Sequence, residues 1–390
     1  MNNWRMSMHL KWNNAFSRVL ASSVAVLMAT TSLYAIPRDP CECPPPPVCC
    51  IEPAPGPFAF NYPFDMDLQC PRDFYLHADA LWMQAKQDGM DFAIEDSNGA
   101  TAPGPITHGR VAGFSKNNKD WDWNPGMRLG VGFYLDHDAW NLDFNWTWLN
   151  ITDYTHASVG TAGGVLIPLW LTGQGTPTGT APATGVFGPR ASANWHAKFN
   201  TIDMSLGKPY YVSRYFVVNP HFGFRAAWIN QHFSVDYAGS SFGPFSSRTV
   251  HHADNDFWGV GSRAGVDTNF LFGKGFRLFG NVAASMLFGK FEIEQNLTYP
   301  TLLSQDGFDL DYHFYQNVPN FELIIGLGWG RYFGCKQYHV ALDLAYEFHE
   351  WWDQLNLRRF FSGSPTYTND VVSRGNLTMN GLSLKLQFDM

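Results

Sequence analysis

Residues Ala139–Asn150 read AWNLDFNWTWLN, and their side chains alternate between two characters. The even positions from Trp140 to Trp148 are large and apolar, whereas the odd positions between them carry amides, a carboxylate and a hydroxyl. Because successive side chains of a strand point to opposite faces, this stretch is predicted to be a β-strand with one apolar and one polar face. Lipid offers no hydrogen-bond partner, so we expect the apolar face to contact lipid and the polar face to line a lumen.

The same alternation returns along most of the chain. Nine further segments place apolar residues at every second position: 74–82, 127–135, 201–206, 222–228, 258–270, 276–288, 321–329, 340–348 and 382–388. Together with the first segment they predict about ten strands. Segments such as 90–96 could add strands, so about 12–16 strands remain possible.

Tight and long connections alternate between these segments. Four turns are short (136–138, 208–213, 273–275 and 334–337), and five loops are long (86–125, 154–195, 232–256, 294–318 and 351–375). This asymmetry is typical of a bacterial transmembrane β-barrel. We therefore predict an all-β, antiparallel barrel over residues 72–390, with short periplasmic turns and long extracellular loops. A soluble β-sandwich is the alternative, but ordinary strands have only about five or six residues.

The N-terminus is typical of an export signal. Arg5, Lys11 and Arg18 precede or flank an apolar stretch over residues 19–33, and cleavage is expected after Ala35. An uncleaved anchor helix is the alternative, although the apolar stretch is short for a membrane span. Loss of residues 1–35 would leave 23 of the 26 basic residues against 34 acidic ones, which disfavours nucleic acid as a partner.

Residues 36–71 form a cysteine- and proline-rich segment that we expect to lie in the periplasm. An oxidising compartment favours disulfides, and the candidates are Cys41, Cys43, Cys49, Cys50 and Cys70. A bond between the adjacent Cys49 and Cys50 would strain the backbone, so bonds to other molecules are expected. The spacing does not fit a zinc site, and neither a metal nor a cofactor is predicted.

Two stretches carry a family resemblance. They are DFYLHADALWMQ, residues Asp73–Gln84, and FGCKQYHVALDLAYEFHEWWDQLN, residues Phe333–Asn356. With the cysteine-rich start, they resemble the major-outer-membrane-protein-like porins of environmental chlamydiae and, more distantly, Legionella-type outer membrane proteins. The resemblance implies an outer membrane porin of a Gram-negative bacterium, sometimes trimeric and disulfide-linked to cysteine-rich envelope proteins. This chain departs from the pattern because Cys335 is the single cysteine among its barrel strands and turns.

Charged residues on the polar faces are the candidate functional residues. If the barrel is correct, nine of them face the lumen and tune ion preference: Arg128, Asp143, Asp203, Arg225, Arg263, Asp267, Arg277, Asp343 and Glu347. The expected function is passive diffusion of small hydrophilic solutes and ions. The alternative is a mutually paired network with no open path, which would make the protein a structural or adhesive barrel.

Three other features raise further hypotheses. His349, Glu350 and Asp353 could form a hydrolase site at the lumen rim, although no catalytic motif accompanies them and we do not expect an enzyme. His251, His252 and Asp254, predicted to lie in a loop, lack further metal ligands. The apolar run 163–173 could constrict the barrel mouth, bind a partner or lipid surface, or pack on neighbouring loops.

Overall fold

The computed structural model describes residues 62–63, 68, 73–96, 109–114, 121–135, 140–159, 165–170, 189–238, 248–298, 300, 306–334, 336–364 and 367–390. Within these ranges no helix is both long and apolar enough to traverse a bilayer. The proposed signal peptide, nearly all of the segment 36–71 and all six cysteines lie outside the described residues. Their predicted roles therefore stay predictions.

Ten long antiparallel strands close into a barrel, which confirms the predicted fold. They are β2 (Phe74–Gln87), β5 (Trp123–Leu135), β6 (Trp140–Ser158), β8 (Arg190–Gly207), β10 (Phe216–Ala238), β11 (Arg248–Gly273), β12 (Phe276–Thr298), β13 (Asp306–Phe333), β14 (Tyr338–Ser364) and β15 (Tyr367–Asp389). Each pairs with its neighbour in this order; β15 pairs with β2, and β8 with β10.

The strands are strongly tilted. Stepping from partner to partner around the barrel, the path that leaves β10 at Val217 returns to β10 at Ile229, twelve residues further along the strand. Such a stagger requires the strands to tilt against the barrel axis. A barrel of this size has room inside only for side chains or a small ligand.

Five short strands accompany the barrel. β1 (Tyr62–Pro63) pairs with β9 (Tyr210–Ser213) at the end that carries the tight turns. At the other end, β3 (Ala93–Asp96), β4 (Gly109–Ala112) and β7 (Val165–Pro168) form a separate three-stranded sheet in the order β4-β3-β7. We call it the loop sheet, because its strands come from the two long connections that precede β5 and β8.

Outward side chains in the half of the barrel nearest the tight turns are large, apolar and exposed. On β12 they are Leu278, Val282, Met286 and Phe288. The polar residues between them point inward, as Asn281 and Ser285 do. The prediction from the opening stretch, that Trp140, Leu142, Phe144 and Trp146 face outward and Asn141, Asp143 and Asn145 face the lumen, matches this arrangement.

In the other half of the barrel, the outward face of the strands is polar and the inward face is largely apolar. On β10, Trp228 is the last large apolar residue that points outward, and beyond it the inward residues Ile229, Phe233, Val235 and Tyr237 are large and apolar. Beyond Trp258 of β11 the outward residues are Asp256 and Asp254. The prediction of loops over 232–256, 294–318 and 351–375 is wrong for most of each range, because strands continue through it. Above the membrane the outer wall meets water, so the apolar face turns inward there and breaks the pattern.

Candidate functional site

A cavity of about 620 Å³ occupies the half of the lumen nearest the tight turns. Its wall includes Pro209, Gly273 and Gly275, which belong to those turns, so the cavity reaches the end of the barrel that carries them. Outer membrane barrels place short turns in the periplasm, so this is the periplasmic half of the lumen.

Arg225 of β10 is the centre of the charge network that lines the cavity. Its Nε lies 2.5 Å from Asp203 Oδ1 on β8, and its Nη1 is paired with Glu322 on β13. The same Nη1 donates to Asn320 Oδ1 over 2.6 Å. Arg263 Nη2 on β11 lies 2.8 Å from the other oxygen of Glu322. Buried ions need such partners, because desolvation of an unpaired charge is costly.

The network continues through β14 to the opposite side of the lumen. His349 lies 3.4 Å from Glu322 Oε1 and 3.0 Å from Glu347 Oε2. Arg128 of β5 bridges Glu347, at 2.7 Å, and Asp79 of β2, at 3.0 Å. Together the two halves link seven strands by charged side chains in direct contact.

Smaller groups lie beside this network. Arg277 holds both oxygens of Asp343 at 2.7 Å. His221 Nδ1 is 3.4 Å from Asp267. Asp143 accepts a hydrogen bond of 2.8 Å from the Tyr75 hydroxyl, and no direct ion pair closer than His77, at 3.8 Å, is seen for it among the described residues.

All nine residues predicted to face the lumen line this cavity: Arg128, Asp143, Asp203, Arg225, Arg263, Asp267, Arg277, Asp343 and Glu347. Five others complete the network or the pairs beside it and are not among the nine predicted lumen residues: His77, Asp79, His221, Glu322 and His349. Of these, only His349 is a candidate from the sequence, and there for a hydrolase site. His77, Asp79 and Glu322 occupy polar positions of alternating segments, so the alternation that predicts the other nine residues also predicts that these three face the lumen. The role of these residues in ion preference stays a prediction.

Two other hypotheses from the sequence meet an obstacle in the structure. His349 points into the lumen, whereas Glu350 is outward and bonded to Asn376 and Thr378, so these neighbours do not form one site at the rim. His251 and His252 lie in strand β11 rather than in a loop, and they occupy opposite faces. No group of three metal-ligating side chains is found within the described ranges.

The extracellular half of the lumen is filled by apolar side chains. Trp195, Ile229, Phe233, Phe257 and Phe291 point inward from the wall and are almost completely buried. The loop sheet packs against them through Ala93, Ala112 and Leu166, and Phe92, which directly precedes β3, is buried with them. Part of the apolar run 163–173 thus packs in the barrel mouth, with Leu166 and Trp170 buried. The described residues leave the cavity closed on this side.

His251 lies within this closure. Its ring stacks on Trp170 with centroids 5.2 Å apart, and Gln295 Nε2 lies 3.4 Å from its Nε2. The site is well above the apolar band, so water and not lipid surrounds the barrel at this level. Burial, together with the nearby His252 and Arg359, lowers the pKa of His251 to about 3. The ring is therefore neutral at physiological pH.

A closed antiparallel barrel with an apolar outer band and a charged lumen defines a class, the bacterial outer membrane β-barrel proteins. Residues 69–390 match the family described as Legionella pneumophila major outer membrane protein precursor. The chain belongs to this family and is an outer membrane protein, and the resemblance to Legionella-type proteins is confirmed. No curated protein matches the chain.

Three solved outer membrane proteins are similar to this chain at low identity, each with a TM-score below 0.5. The outer membrane protease OmpT from Escherichia coli is 10% identical, with 83% of this chain and 99% of that chain covered and a TM-score of 0.39. The CymD monoaromatic hydrocarbon channel is 9% identical, with 86% and 96% covered and a TM-score of 0.30. A FadL homologue from Pseudomonas aeruginosa is 8% identical, with 86% and 95% covered and a TM-score of 0.25.

Proposed function

We propose that this protein mediates passive diffusion of small hydrophilic solutes and ions across the outer membrane. The observation that supports the proposal is the charged cavity of about 620 Å³ in the periplasmic half of the lumen. Charges in a space with low-dielectric walls attract mobile ions and discriminate between them by sign. No catalytic role is proposed.

Passage through the lumen requires its extracellular half to open. The apolar side chains that close it come from the wall, the loop sheet and the extracellular part of β14, including Leu355 and Leu357. The wall strands are fixed by ladders on both sides, whereas the loop sheet is a small separate sheet. If the transport proposal is correct, this packed arrangement is the closed state of a gated pore.

Conductance in planar lipid bilayers tests this proposal. Purified protein should produce discrete current steps, and Arg277→Gln should shift the reversal potential toward cation preference. The reason is that Asp343, now held by Arg277 at 2.7 Å, would keep its charge without a cation beside it. Arg214→Gln is the matched control, because Arg214 lies in the short turn between β9 and β10 beside Tyr215 and does not line the cavity.

A non-conducting structural or adhesive barrel is the second candidate. The continuous network of ion pairs across the lumen and the packed extracellular half favour it. Folded protein that carries no current under any condition, including the gate variants described below, would overturn the transport proposal in favour of this one.

A further inference from the structure

Strand β14 leaves the barrel wall partway along its length. Its ladder with β13 ends at the pair Asn320–Trp351, although β13 extends back to Asp306 and β14 continues to Ser364, and both extensions are described. The ladder between β14 and β15 is interrupted at the same place and resumes at Leu355–Gly375. Asp353, between these points, has φ +52°, a left-handed conformation that is uncommon outside glycine.

A proline on β13 lies at the point where the two strands separate. Pro319 directly precedes Asn320, the last residue of β13 that pairs with β14. Proline has no backbone N–H and is found in sheets mainly where a ladder partner is missing. Beyond it, β13 retains its ladder with β12 as far as Asp306.

The displaced part of β14 lies inside the lumen, where side-chain amides replace a neighbouring strand. Asn255 of β11 accepts from Asn356 N over 3.2 Å and donates to Gln354 O over 2.8 Å. Gln295 of β12 accepts from Arg358 N over 2.8 Å and donates to Arg358 O over 3.0 Å. Each amide thus supplies the donor and the acceptor that a strand edge requires.

Residues that directly precede β3 and follow β7 of the loop sheet contact the same segment. Arg359 Nη2 donates to the carbonyl oxygens of Gly89 over 2.6 Å and Asp91 over 2.9 Å. Its guanidinium also lies 4.5 Å from the ring centroid of Trp170. Movement of this part of β14 would therefore release the contacts that hold the loop sheet in the mouth.

In the lumen position, the hydrogen-bonding groups of one β14 side chain are not satisfied by the described residues. The Gln354 side chain is fully buried, and neither its Oε1 nor its Nε2 has a hydrogen-bond partner in the described part of the chain. A buried amide without partners is destabilising. If β14 continued its register with β13, Gln354 would lie opposite Asn317, an outward and exposed residue, and its amide would reach water.

We propose that residues 352–359 of β14, here named the gate strand, alternate between two docked positions. This inference rests on the proposed transport function and identifies the gate. In the closed position, shown by the structure, the gate strand lies in the lumen on Asn255 and Gln295. In the open position it extends the β13–β14 ladder, and the loop sheet is released.

We expect burial of apolar side chains and hydration of a polar one to favour opposite positions of the gate strand. The lumen position buries Leu355 and Leu357, each only 1% exposed, in the apolar core. The wall position exchanges the amide contacts for a regular ladder and hydrates Gln354. A switch requires an element with two alternative packed arrangements of this kind.

Cysteine pairs in outer membranes test the open position directly. In the wall register, Asn317→Cys and Gln354→Cys would be directly opposite, and oxidation should join them in a bond that mass spectrometry of the linked peptide separates from native disulfides. Leu323→Cys with Phe348→Cys, partners in the existing ladder, is the positive control. His313→Cys with Gln354→Cys, out of register, is the negative control. A positive control that links while the first pair does not would overturn the gate.

Removal of the amide supports tests the closed position. Asn255→Leu and Gln295→Leu should each raise the rate of Asn317→Cys/Gln354→Cys linkage and the open probability several-fold, because the lumen position loses its backbone partners. Asn194→Leu, an exposed outward amide on β8, should change neither. Equal effects of all three substitutions would contradict the inference.

The two readouts separate this inference from the transport proposal. Linkage without current supports the gate strand and overturns transport. Current without linkage supports transport and overturns the gate strand. Linkage between two copies of the chain, seen as a dimer on gels, would assign the β13 extension to a second molecule and would also overturn the gate strand.

Discussion

Inward glycines make room for the charges of the lumen. A Cβ on Gly130 would lie 2.1 Å from His77 Nε2, and one on Gly328 would lie 2.2 Å from Asp343 Oδ1. Both distances are far below a van der Waals contact. A ten-stranded barrel has little interior space, so a large side chain on one strand requires a small neighbour on the next.

Gly132→Ala tests this steric requirement. Its Cβ would lie 1.9 Å from Tyr75 Cζ, so Tyr75 must move and its 2.8 Å hydrogen bond to Asp143 is lost. We expect a destabilisation of about 1–3 kcal/mol, as for other overpacked sites. The measurement is the temperature at which the folded, fast-migrating form disappears on gels.

Gly280→Ala is the control for that substitution. At Gly280 the nearest atoms to an added Cβ are Thr268 Oγ1 at 3.4 Å and Ile324 O at 3.9 Å. This variant should behave as the unmodified protein does. Equal losses at both positions would mean that side-chain packing in the lumen is not the cause.

At the scale of the strand, the odd or even position of a residue predicts whether its side chain points outward or into the lumen. Val266 is outward and 39% exposed, whereas Asn269 lines the cavity. Val266→Arg should impair assembly, because an outward arginine within the membrane costs about 2–4 kcal/mol. Asn269→Arg should assemble normally. Folded yield in outer membranes compares the two; the reverse order would exchange the inner and outer faces of β11.

We expect acid to destabilise the extracellular half of the barrel through His251. Its pKa of about 3 in the folded protein is below the ordinary value of 6.5, so the unfolded or opened state binds more protons. This contribution to stability is complete above pH 6.5 and is lost as pH falls toward 3. At pH 5 the loss is about 2 kcal/mol.

Hydrogen exchange measures this loss. Amides of the loop sheet near Trp170, which stacks on His251, should exchange faster at pH 5 than at pH 7 after correction for intrinsic rates. His251→Gln should remove most of the difference, whereas His252→Gln, on the outer face, should preserve it. Identical protection at both pH values in the unmodified protein would contradict the assignment.

Sequence reasoning found the membrane-spanning parts of the strands and missed their extensions. In Trp140–Trp148 the environment is lipid on one side and a polar lumen on the other, so the alternation is strong. Trp228 and Ile229 are adjacent apolar residues, so the apolar positions change there from even to odd numbers. The alternating pattern is broken at this point, which wrongly suggests that the strand ends. The departure of β14 from the wall depends on contacts with distant residues such as Asn255 and Gln295, which no local pattern reveals.

At the scale of the whole molecule, the envelope partners are still a proposal from sequence. Cys41, Cys43, Cys49, Cys50 and Cys70 lie outside the described residues, in a proline-rich segment before the barrel. We expect them to join this chain to copies of itself or to cysteine-rich envelope proteins. Gels of outer membranes without reductant should show bands of higher mass that collapse when reductant is added.

A control variant sharpens that measurement. Replacement of these five cysteines by serine, with Cys335 retained, should abolish the higher bands while the barrel still folds. A single monomer band for the unmodified protein, with and without reductant, would rule the cross-links out. Persistence of the bands in the variant would assign them to Cys335.

The exchange of faces along the strands also sets how deeply the barrel sits. Raising the barrel would lift outward residues such as Phe288 into water, and lowering it would draw Asp256 and Glu292 into hydrocarbon. Both displacements are unfavourable, so the level at which the outer face changes from apolar to polar fixes the depth of the barrel in the bilayer. A bilayer thicker than the apolar band would have to thin around the protein. In one of matching thickness, the extracellular parts of β10–β13 extend beyond the lipid and hold the extracellular end of the barrel above the surrounding surface.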